Sequence, residues 1–190
     1  MGAYVYNGDQ PHKNGKDYTQ DYGLWLDYTK NNFSVHYAFT NNFLNADKLT
    51  DINEDGVADQ IYSGNLVSGS TVATTFSYES VTIIGEYFIS GKFDKIDKTF
   101  NSRTAQISGY NIEVLYDYYR SFKFGLSTQG TEQAVSYGLT KRKTLFLFAK
   151  TLEENSVLKF EFEKSQDYPS SSGGTGEEVH KVTVQWAVSF

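Results

Sequence analysis

The most regular pattern in the chain is an alternation of apolar and polar residues with a period of two. In segment 32–40 the odd positions are apolar and the even positions are small or polar, and segment 179–190 alternates in the same way up to Phe190. Alternation of this kind predicts β-strands. No stretch combines a sustained helical period with capping residues, so no helix of consequence is expected.

Ten segments of this kind are predicted as strands, and the prediction for the chain is therefore an all-β fold. Their predicted ranges are 2–7, 18–29, 33–41, 69–79, 81–92, 102–117, 121–130, 142–152, 156–165 and 179–190.

The connectors between these strands alternate in length. The connectors that follow odd-numbered strands are long, at about 8–17, 42–68, 93–101, 131–141 and 166–178. The connectors that follow even-numbered strands are tight turns, at 30–32, near Ser80, 118–120 and 153–155. Long loops on one rim and short turns on the other are typical of outer-membrane barrels. A soluble β-sandwich has water at both ends and no reason to sort its connectors, and it is the alternative interpretation.

Composition narrows the classes of protein. The 190 residues include 14 Phe, 15 Tyr and 2 Trp, no Cys, and a net charge of −6. Without cysteine there is no disulfide framework or thiolate site, and the acidic balance argues against nucleic acid as a partner. Because no apolar run approaches the roughly 18–20 residues of a spanning helix, strands are the remaining way to cross a membrane.

The prediction is a single domain, 1–190, that forms an antiparallel up-and-down transmembrane β-barrel of about ten strands in the bacterial outer membrane, with lipid as its surroundings. Both termini and the short turns are expected on the periplasmic side. On the inward face, charged and polar side chains are predicted to line the pore; these are Asp27, His36, Glu86, Glu113, Asp117, Lys123, Lys159, Glu161, Glu163 and Lys181.

For two segments the sequence raises more specific structural questions. If Arg120 centres a three-residue turn, Asp117 faces Lys123 across the hairpin, and opposite charges in that position are favourable. In segment 144–151, by contrast, Phe146 and Phe148 alternate with residues that are also apolar, so the sequence leaves open which side meets lipid. If the two Phe residues do, Lys150 must extend towards the interface.

A candidate calcium loop lies inside the longest connector. Its oxygen ligands would come from positions 1, 3, 5, 7 and 9 of the segment 51–59, with Gly56 at the sharp turn; the residues are Asp51, Asn53, Asp55, Val57 (through its carbonyl) and Asp59. The bidentate Glu of an EF-hand is absent because Tyr62 stands at position 12. A solvated acidic turn is the alternative. No cofactor is expected to be required, and calcium is the one candidate.

No enzymatic site is predicted. The three histidines, His12, His36 and His180, are scattered along the chain, and no Gly-x-Ser-x-Gly motif is present. Nucleophilic catalysis needs a nucleophile and a base within hydrogen-bonding reach, so an outer-membrane hydrolase is a remote alternative.

Scattered landmarks also resemble a known family. They are Val5-Tyr6-Asn7-Gly8-Asp9, Gly130-Thr131-Glu132-Gln133-Ala134 with Gly138-Leu139 and Lys141-Arg142, Glu154-Asn155-Ser156, Asp167-Tyr168, Gly173-Gly174-Thr175-Gly176, and Val182-Thr183-Val184-Gln185 before Phe190. In this order they resemble the LbtU-type siderophore porins of Gram-negative bacteria. The resemblance implies an outer-membrane barrel associated with uptake of ferric siderophores. It falls on the carboxy-terminal part of longer proteins, so a larger barrel is the alternative to closure by ten strands.

The two ends of the chain give further expectations. Met1 opens directly into strand-like sequence without a signal peptide, so either a signal has been removed or further sequence precedes it. The aromatic end at Phe190 resembles the signal by which the outer-membrane assembly machinery recognises its clients. The expected function is a porin-like channel for small polar solutes; the alternative is a non-conducting structural or adhesion barrel that presents external loops.

Overall fold

The computed structural model describes residues 1–6, 21–42, 67–93, 105–119, 121–153 and 156–188. These residues form ten β-strands and two short 3-10 helices, Val135–Tyr137 and Ser170–Ser172. The strands are β1 (Gly2–Tyr6), β2 (Asp21–Lys30), β3 (Phe33–Thr40), β4 (Gly69–Tyr78), β5 (Val81–Ser90), β6 (Ser108–Tyr118), β7 (Phe122–Glu132), β8 (Arg142–Glu153), β9 (Ser156–Gln166) and β10 (Glu178–Val188). In this part of the chain no helix is long and apolar enough to span a membrane.

All ten strands belong to one antiparallel sheet whose spatial order, β1 to β10, is the order of the sequence. The predicted all-β, up-and-down architecture of ten strands is therefore confirmed. A sandwich would need two packed sheets, so that alternative is wrong for the described residues. The ladders found within these residues leave β1 and β10 as the two edges, and the order of the strands is that of an up-and-down barrel.

The sixth strand begins later than its sequence suggests. It was predicted to begin at residue 102, but β6 starts at Ser108. Ahead of it, Ala105 forms an isolated bridge with Phe93, and the N–H of Ile107 donates to the side-chain oxygen of Ser90, 2.8 Å away. Partners outside the β5–β6 ladder therefore delay the start of the strand.

The predicted sorting of the connectors is confirmed by the strand bounds. Tight turns join β2 to β3, β4 to β5, β6 to β7 and β8 to β9, whereas residues 7–20, 41–68, 91–107, 133–141 and 167–177 form the long connectors at the opposite end. Three of the tight turns contain a non-glycine residue with positive φ, namely Asn31, Glu79 and Tyr119. Hairpin turns as short as these favour that backbone region because it matches the twist of the strands.

Register passes the orientation of the side chains from one strand to the next, because residues paired across a ladder project from the same side of the sheet. Phe162 of β9 pairs with Val182 and Phe146, and this row continues through Leu126 and Val114 to the other strands. We call this side the apolar face. The opposite side, which includes Glu161 and Glu163 of β9, is the polar face.

The apolar face carries most of the exposed large apolar side chains of the sheet. Each strand from β2 to β10 contributes exposed apolar residues to it, for example Leu26, Tyr37, Phe76, Ile83, Val114, Leu126, Phe146, Phe162 and Val184. On the polar face, by contrast, the small residues Ser127 and Ser165 are 5% and 8% exposed. Exposed large apolar residues thus concentrate on one side of the sheet, and buried serines lie on the other.

The densest packing lies among the long connectors. Val67, Phe93, Ala105, Ile107 and Ala134 form a buried apolar cluster, with Phe88 and Tyr137 packed against it. We call this group the connector cluster. Its members come from three different long connectors, and Phe88 extends from the polar face of β5. The cluster therefore sits at the long-connector end, on the polar-face side of the sheet.

The side chain of Ser90 links this cluster to the sheet, and loss of its hydroxyl should lower the stability of the chain. This side chain is buried, accepts from the N–H of Ile107 and donates to the carbonyl of Gly91, both at 2.8 Å. Ser90→Ala would leave the Ile107 N–H without this acceptor. We expect a loss of about 1–3 kcal/mol in the free energy of unfolding, measured by urea titration of the chain in detergent micelles.

Ser108→Ala is the matched control, because no hydrogen bond of the Ser108 side chain is found in the described part of the chain. Equal stability losses for the two variants would contradict the role assigned to Ser90.

Candidate functional site

All ten residues predicted to line the pore lie on the polar face. Register places Asp27, His36 and Glu86 in one row across β2, β3 and β5. The register of the other ladders places the remaining seven on the same face; they are Glu113, Asp117, Lys123, Lys159, Glu161, Glu163 and Lys181. The structure thus brings the set together on one face of the sheet. That this surface lines a pore stays a prediction.

Several of these groups form ion pairs or hydrogen bonds with each other. Asp117 and Lys123 are direct partners in the β6–β7 ladder, with 3.3 Å between the carboxylate and ammonium groups, which confirms the predicted hairpin register. Lys159 forms an ion pair with Glu161 on the same strand. Glu86 accepts a hydrogen bond from the Asn111 amide at 3.0 Å. Part of the charge on this face is therefore compensated locally.

The β8 strand supplies a charged residue that the sequence did not single out. Its Leu145 pairs with Glu163 and Ser127, which assigns Leu145, Leu147 and Ala149 to the polar face. Lys143 lies two residues before Leu145 and therefore on the same face, and its ammonium group is 3.5 Å from the Glu163 carboxylate. The alternation of β8 alone could not reveal this, since both of its faces are rich in apolar residues.

Phe146 and Phe148 consequently lie on the apolar face, and Lys150 lies with them near a short turn. The Lys150 ammonium sits 5.5 Å from the centre of the Phe122 ring, a cation–π distance. This is the arrangement expected if these Phe residues meet an apolar phase, because the lysine is at the end of the strand.

Charge is unevenly distributed across the polar face. On β2 to β6 the described charged groups are acidic apart from His36, namely Asp27, Glu86, Glu113 and Asp117. On β7 to β10 four lysines, Lys123, Lys143, Lys159 and Lys181, accompany Glu161 and Glu163. Six carboxylates against four lysines leave an acidic excess, and rings of carboxylates favour cations in a pore.

A network of hydrogen bonds clamps the β9–β10 connector onto its neighbour. The hydroxyl of buried Tyr168 lies 2.8 Å from the Thr131 hydroxyl and accepts from the Ala134 N–H at 3.3 Å. Thr131 uses its single proton on the Thr140 carbonyl, 2.7 Å away, so Tyr168 donates to Thr131. Two long connectors are thereby fixed at the same end of the sheet.

Asp167 holds the same connector closed on itself. Its carboxylate accepts from the backbone N–H of Thr175 at 2.7 Å, from the Thr175 hydroxyl at 2.8 Å and from the N–H of Tyr168 at 2.7 Å. These donors, the Thr175 backbone first, lower the pKa of Asp167 below its ordinary value because they stabilise the ionised form.

The predicted calcium ligands in segment 51–59, as well as His12, lie outside the described residues. Among the residues the structure does describe, no group of three or more His, Asp or Glu side chains is arranged to hold a metal ion. Calcium binding by segment 51–59 stays a prediction.

No family model matches the chain, and no curated protein matches it. Among solved structures, the chain is similar to the anion-selective porin from Comamonas acidovorans, with 13% sequence identity and a TM-score of 0.45. The match covers 97% of this chain and 63% of that porin, so the chain spans less than two thirds of the length of the porin. Anion selectivity is a property of that protein.

The Asp167 network predicts a pH-dependent connector. Because the pKa of Asp167 is lowered in the folded state, its contribution is present above the ordinary carboxyl pKa of about 3.9 and is lost as pH falls through the folded value. Asp167→Asn should therefore speed hydrogen exchange in residues 167–177 at pH 7, and the difference from the original chain should vanish at the lowest pH.

Hydrogen-exchange mass spectrometry, corrected for the intrinsic rate at each pH, measures this effect. Thr175→Ser retains both donors to Asp167 and is the matched control, so it should behave like the original chain. An Asp167→Asn effect of equal size at every pH would contradict the titration.

Proposed function

We propose that the chain forms an outer-membrane β-barrel, or the wall of a larger one, that conducts small polar solutes. The observation that carries this proposal is the two-sided polarity of the sheet: one face presents exposed apolar residues on every strand from β2 to β10, and the other carries the charged residues. A sheet of a soluble protein covers its apolar side with a second layer. Here the described strands form a single sheet and the apolar residues of this side are exposed, and lipid is the surrounding that would satisfy them.

The dimensions of the apolar face support a membrane. On β6 this face runs from Tyr110 to Tyr118 through Ile112, Val114 and Tyr116. That length is about 27 Å along the strand, or about 20 Å across the membrane at the usual tilt, close to the apolar band of about 25 Å in outer-membrane barrels. Charged residues of this face, such as Lys150 and Glu178, lie near the ends of their strands.

The proposal extends to the identity of the solute and of the partners of the chain. The resemblance to the LbtU-type siderophore porins supports ferric siderophores as cargo, and the aromatic carboxy terminus supports delivery by the outer-membrane assembly machinery. The acidic segment 51–59 supports Ca²⁺ as an ordering ion for the longest connector.

Addition of EDTA should then lower the melting temperature of the chain and speed proteolysis of that connector.

A closed barrel is the second candidate function. The connector cluster, in which Phe93 is 1% exposed, packs on the polar-face side of the sheet at the long-connector end. Small barrels of about eight strands can be filled by their own side chains. A barrel sealed in this way would be structural or adhesive and would act through its external connectors.

Conductance separates the two functions. The chain is refolded into a planar lipid bilayer after its β content has been confirmed by circular dichroism, and current is recorded with and without Ca²⁺. Discrete current steps are expected for a channel. A folded chain that inserts into lipid without current steps would overturn conduction and support the sealed barrel.

The assignment of the faces can be tested by paired substitutions on β6. Val114 lies mid-strand on the apolar face, and Glu113 next to it lies on the polar face. Val114→Arg should destabilise the chain in lipid vesicles by about 2–4 kcal/mol, the cost of an arginine near the bilayer midplane. Glu113→Arg should cost far less, and urea unfolding in vesicles measures both. The reverse ranking would refute the lipid-facing side.

Ion preference should follow the acidic excess of the polar face. Glu86 and Glu113 lie on the lysine-free strands β5 and β6, so the double variant Glu86→Gln/Glu113→Gln removes two of its carboxylates. In a potassium chloride gradient, the original chain should show a cation-selective reversal potential, and the double variant should move it towards zero.

Glu132→Gln/Glu178→Gln is the matched control, since it removes the same charge from the apolar side of the sheet. An identical shift in both double variants would show that net charge, rather than the charge on the polar face, sets the selectivity.

A further inference from the structure

Most rings of the described strands lie on the apolar face, but Tyr4 and Trp25 do not. Tyr4 of β1 and Trp25 of β2 lie on the polar face, because they share parity with Asp27. The other aromatic residues of the strands with described side chains lie on the apolar face, apart from Phe88, which packs against the connector cluster. Packing against lipid therefore does not explain these two rings.

Both rings lie flat on the sheet. Trp25 pairs with Gly2, and Tyr4 pairs with Gly23. A Cβ atom at either glycine would overlap the ring opposite, so each ring occupies the space that a side chain would otherwise fill. Their centroids are 6.0 Å apart at an interplanar angle of 34°. Two neighbouring ring faces are thus turned away from the sheet on its polar side, and Tyr4 is 45% exposed.

A hydrogen-bonding pair lies beside the rings. Asp27 follows Trp25 by two residues on the same face, and its carboxylate oxygen is 2.6 Å from Nδ1 of His36. A carboxylate accepts hydrogen bonds, so Nδ1 carries the proton and donates. The side chains of His36 and Asp27 are 46% and 55% exposed, so both present polar surface to a ligand on this face.

We infer that Tyr4, Trp25, Asp27 and His36 form a binding site for neutral sugar rings on the polar face. A pyranose presents a face of C–H groups, which packs on an aromatic ring, and a rim of hydroxyls, which donate to carboxylate and imidazole acceptors. Apolar ring faces with a few placed polar groups are the usual composition of small-molecule sites. The inference rests on the proposed channel, because the site would lie along its wall.

Charge favours a neutral ligand over an anionic one. Asp27 is itself a carboxylate, and Glu86 lies on the same row of the polar face. No lysine or arginine stands on the polar face of the described residues of β1 to β5. An anion would meet repulsion here, whereas a sugar brings hydroxyl donors and no charge.

Fluorescence of Trp25 tests the inference directly. The chain has two tryptophans, and Trp186 lies on the apolar face, so Trp186→Phe leaves Trp25 as the sole reporter. The folded full chain in detergent micelles is titrated with maltose and with maltohexaose. We expect a saturable change in emission, whereas polyethylene glycol of similar mass should produce none.

Substitutions in the Trp186→Phe background locate the site. Tyr4→Leu keeps an apolar side chain over Gly23 but removes the flat ring, and this variant should raise the apparent Kd by about fivefold or more. Asp27→Asn should also raise the apparent Kd, and this second variant tests the site independently if Tyr4→Leu fails to fold. Tyr28→Leu, on the opposite face of β2, is the matched control and should leave the apparent Kd unchanged.

The outcomes separate this inference from the channel itself. Saturable sugar binding without current steps in a bilayer would support the site and overturn conduction. Current steps that maltohexaose does not block, together with unchanged Trp25 emission, would overturn the sugar site and leave the channel. A saturable response to tetramethylammonium instead of sugar would also overturn it, because the rings and Asp27 would then serve a cation.

Discussion

The structure depends on one constraint, which is that side chains alternate along each strand and that ladder hydrogen bonds transmit this alternation to the next strand. Once Phe162 faces one side, Phe146, Leu126 and Val114 must face it too. A slip of one residue in any ladder would move a whole strand's carboxylates and lysines onto the apolar side. The tight turns reduce this danger, since a two-residue turn such as 31–32 fixes the register of its hairpin.

The same constraint accounts for the arrangement of the charges. The polar face brings together groups that are far apart in the sequence, and some of them neutralise each other across ladders, as Lys143 and Glu163 do. Lysines gather on β7 to β10 and carboxylates predominate on β2 to β6. In the proposed channel, a solute moving along the polar face would meet regions of different charge. At the long-connector end, the connector cluster and the Tyr168 network hold several long connectors together.

Much of the fold could be predicted because the alternation is strong in most strands. It identified ten strands and the sorting of their connectors, and it assigned ten charged or polar residues to one side of the sheet. It was insufficient where both sides of a strand are apolar, as around Leu145 and Phe146, since only the neighbouring strands distinguish them. It also predicted too early a start for β6, because the partners of Ala105 and Ile107 lie outside the ladder. The flat rings of Tyr4 and Trp25 depend on the glycines opposite, a relation that appears once register is known.

The strictly sequential order of the strands has a consequence for folding. Every ladder joins strands that are neighbours in the sequence, so the sheet can grow by one strand at a time, and each addition closes a loop no longer than the intervening connector. The entropic cost of closing a loop rises only with the logarithm of its length, so even the connector at 41–68 adds little to the barrier. Pairing between neighbours in the sequence keeps each loop-closure step short, which favours assembly. The growing edge strand, with its unpaired backbone groups, is then the part of the chain most in need of protection from other chains until its next partner arrives.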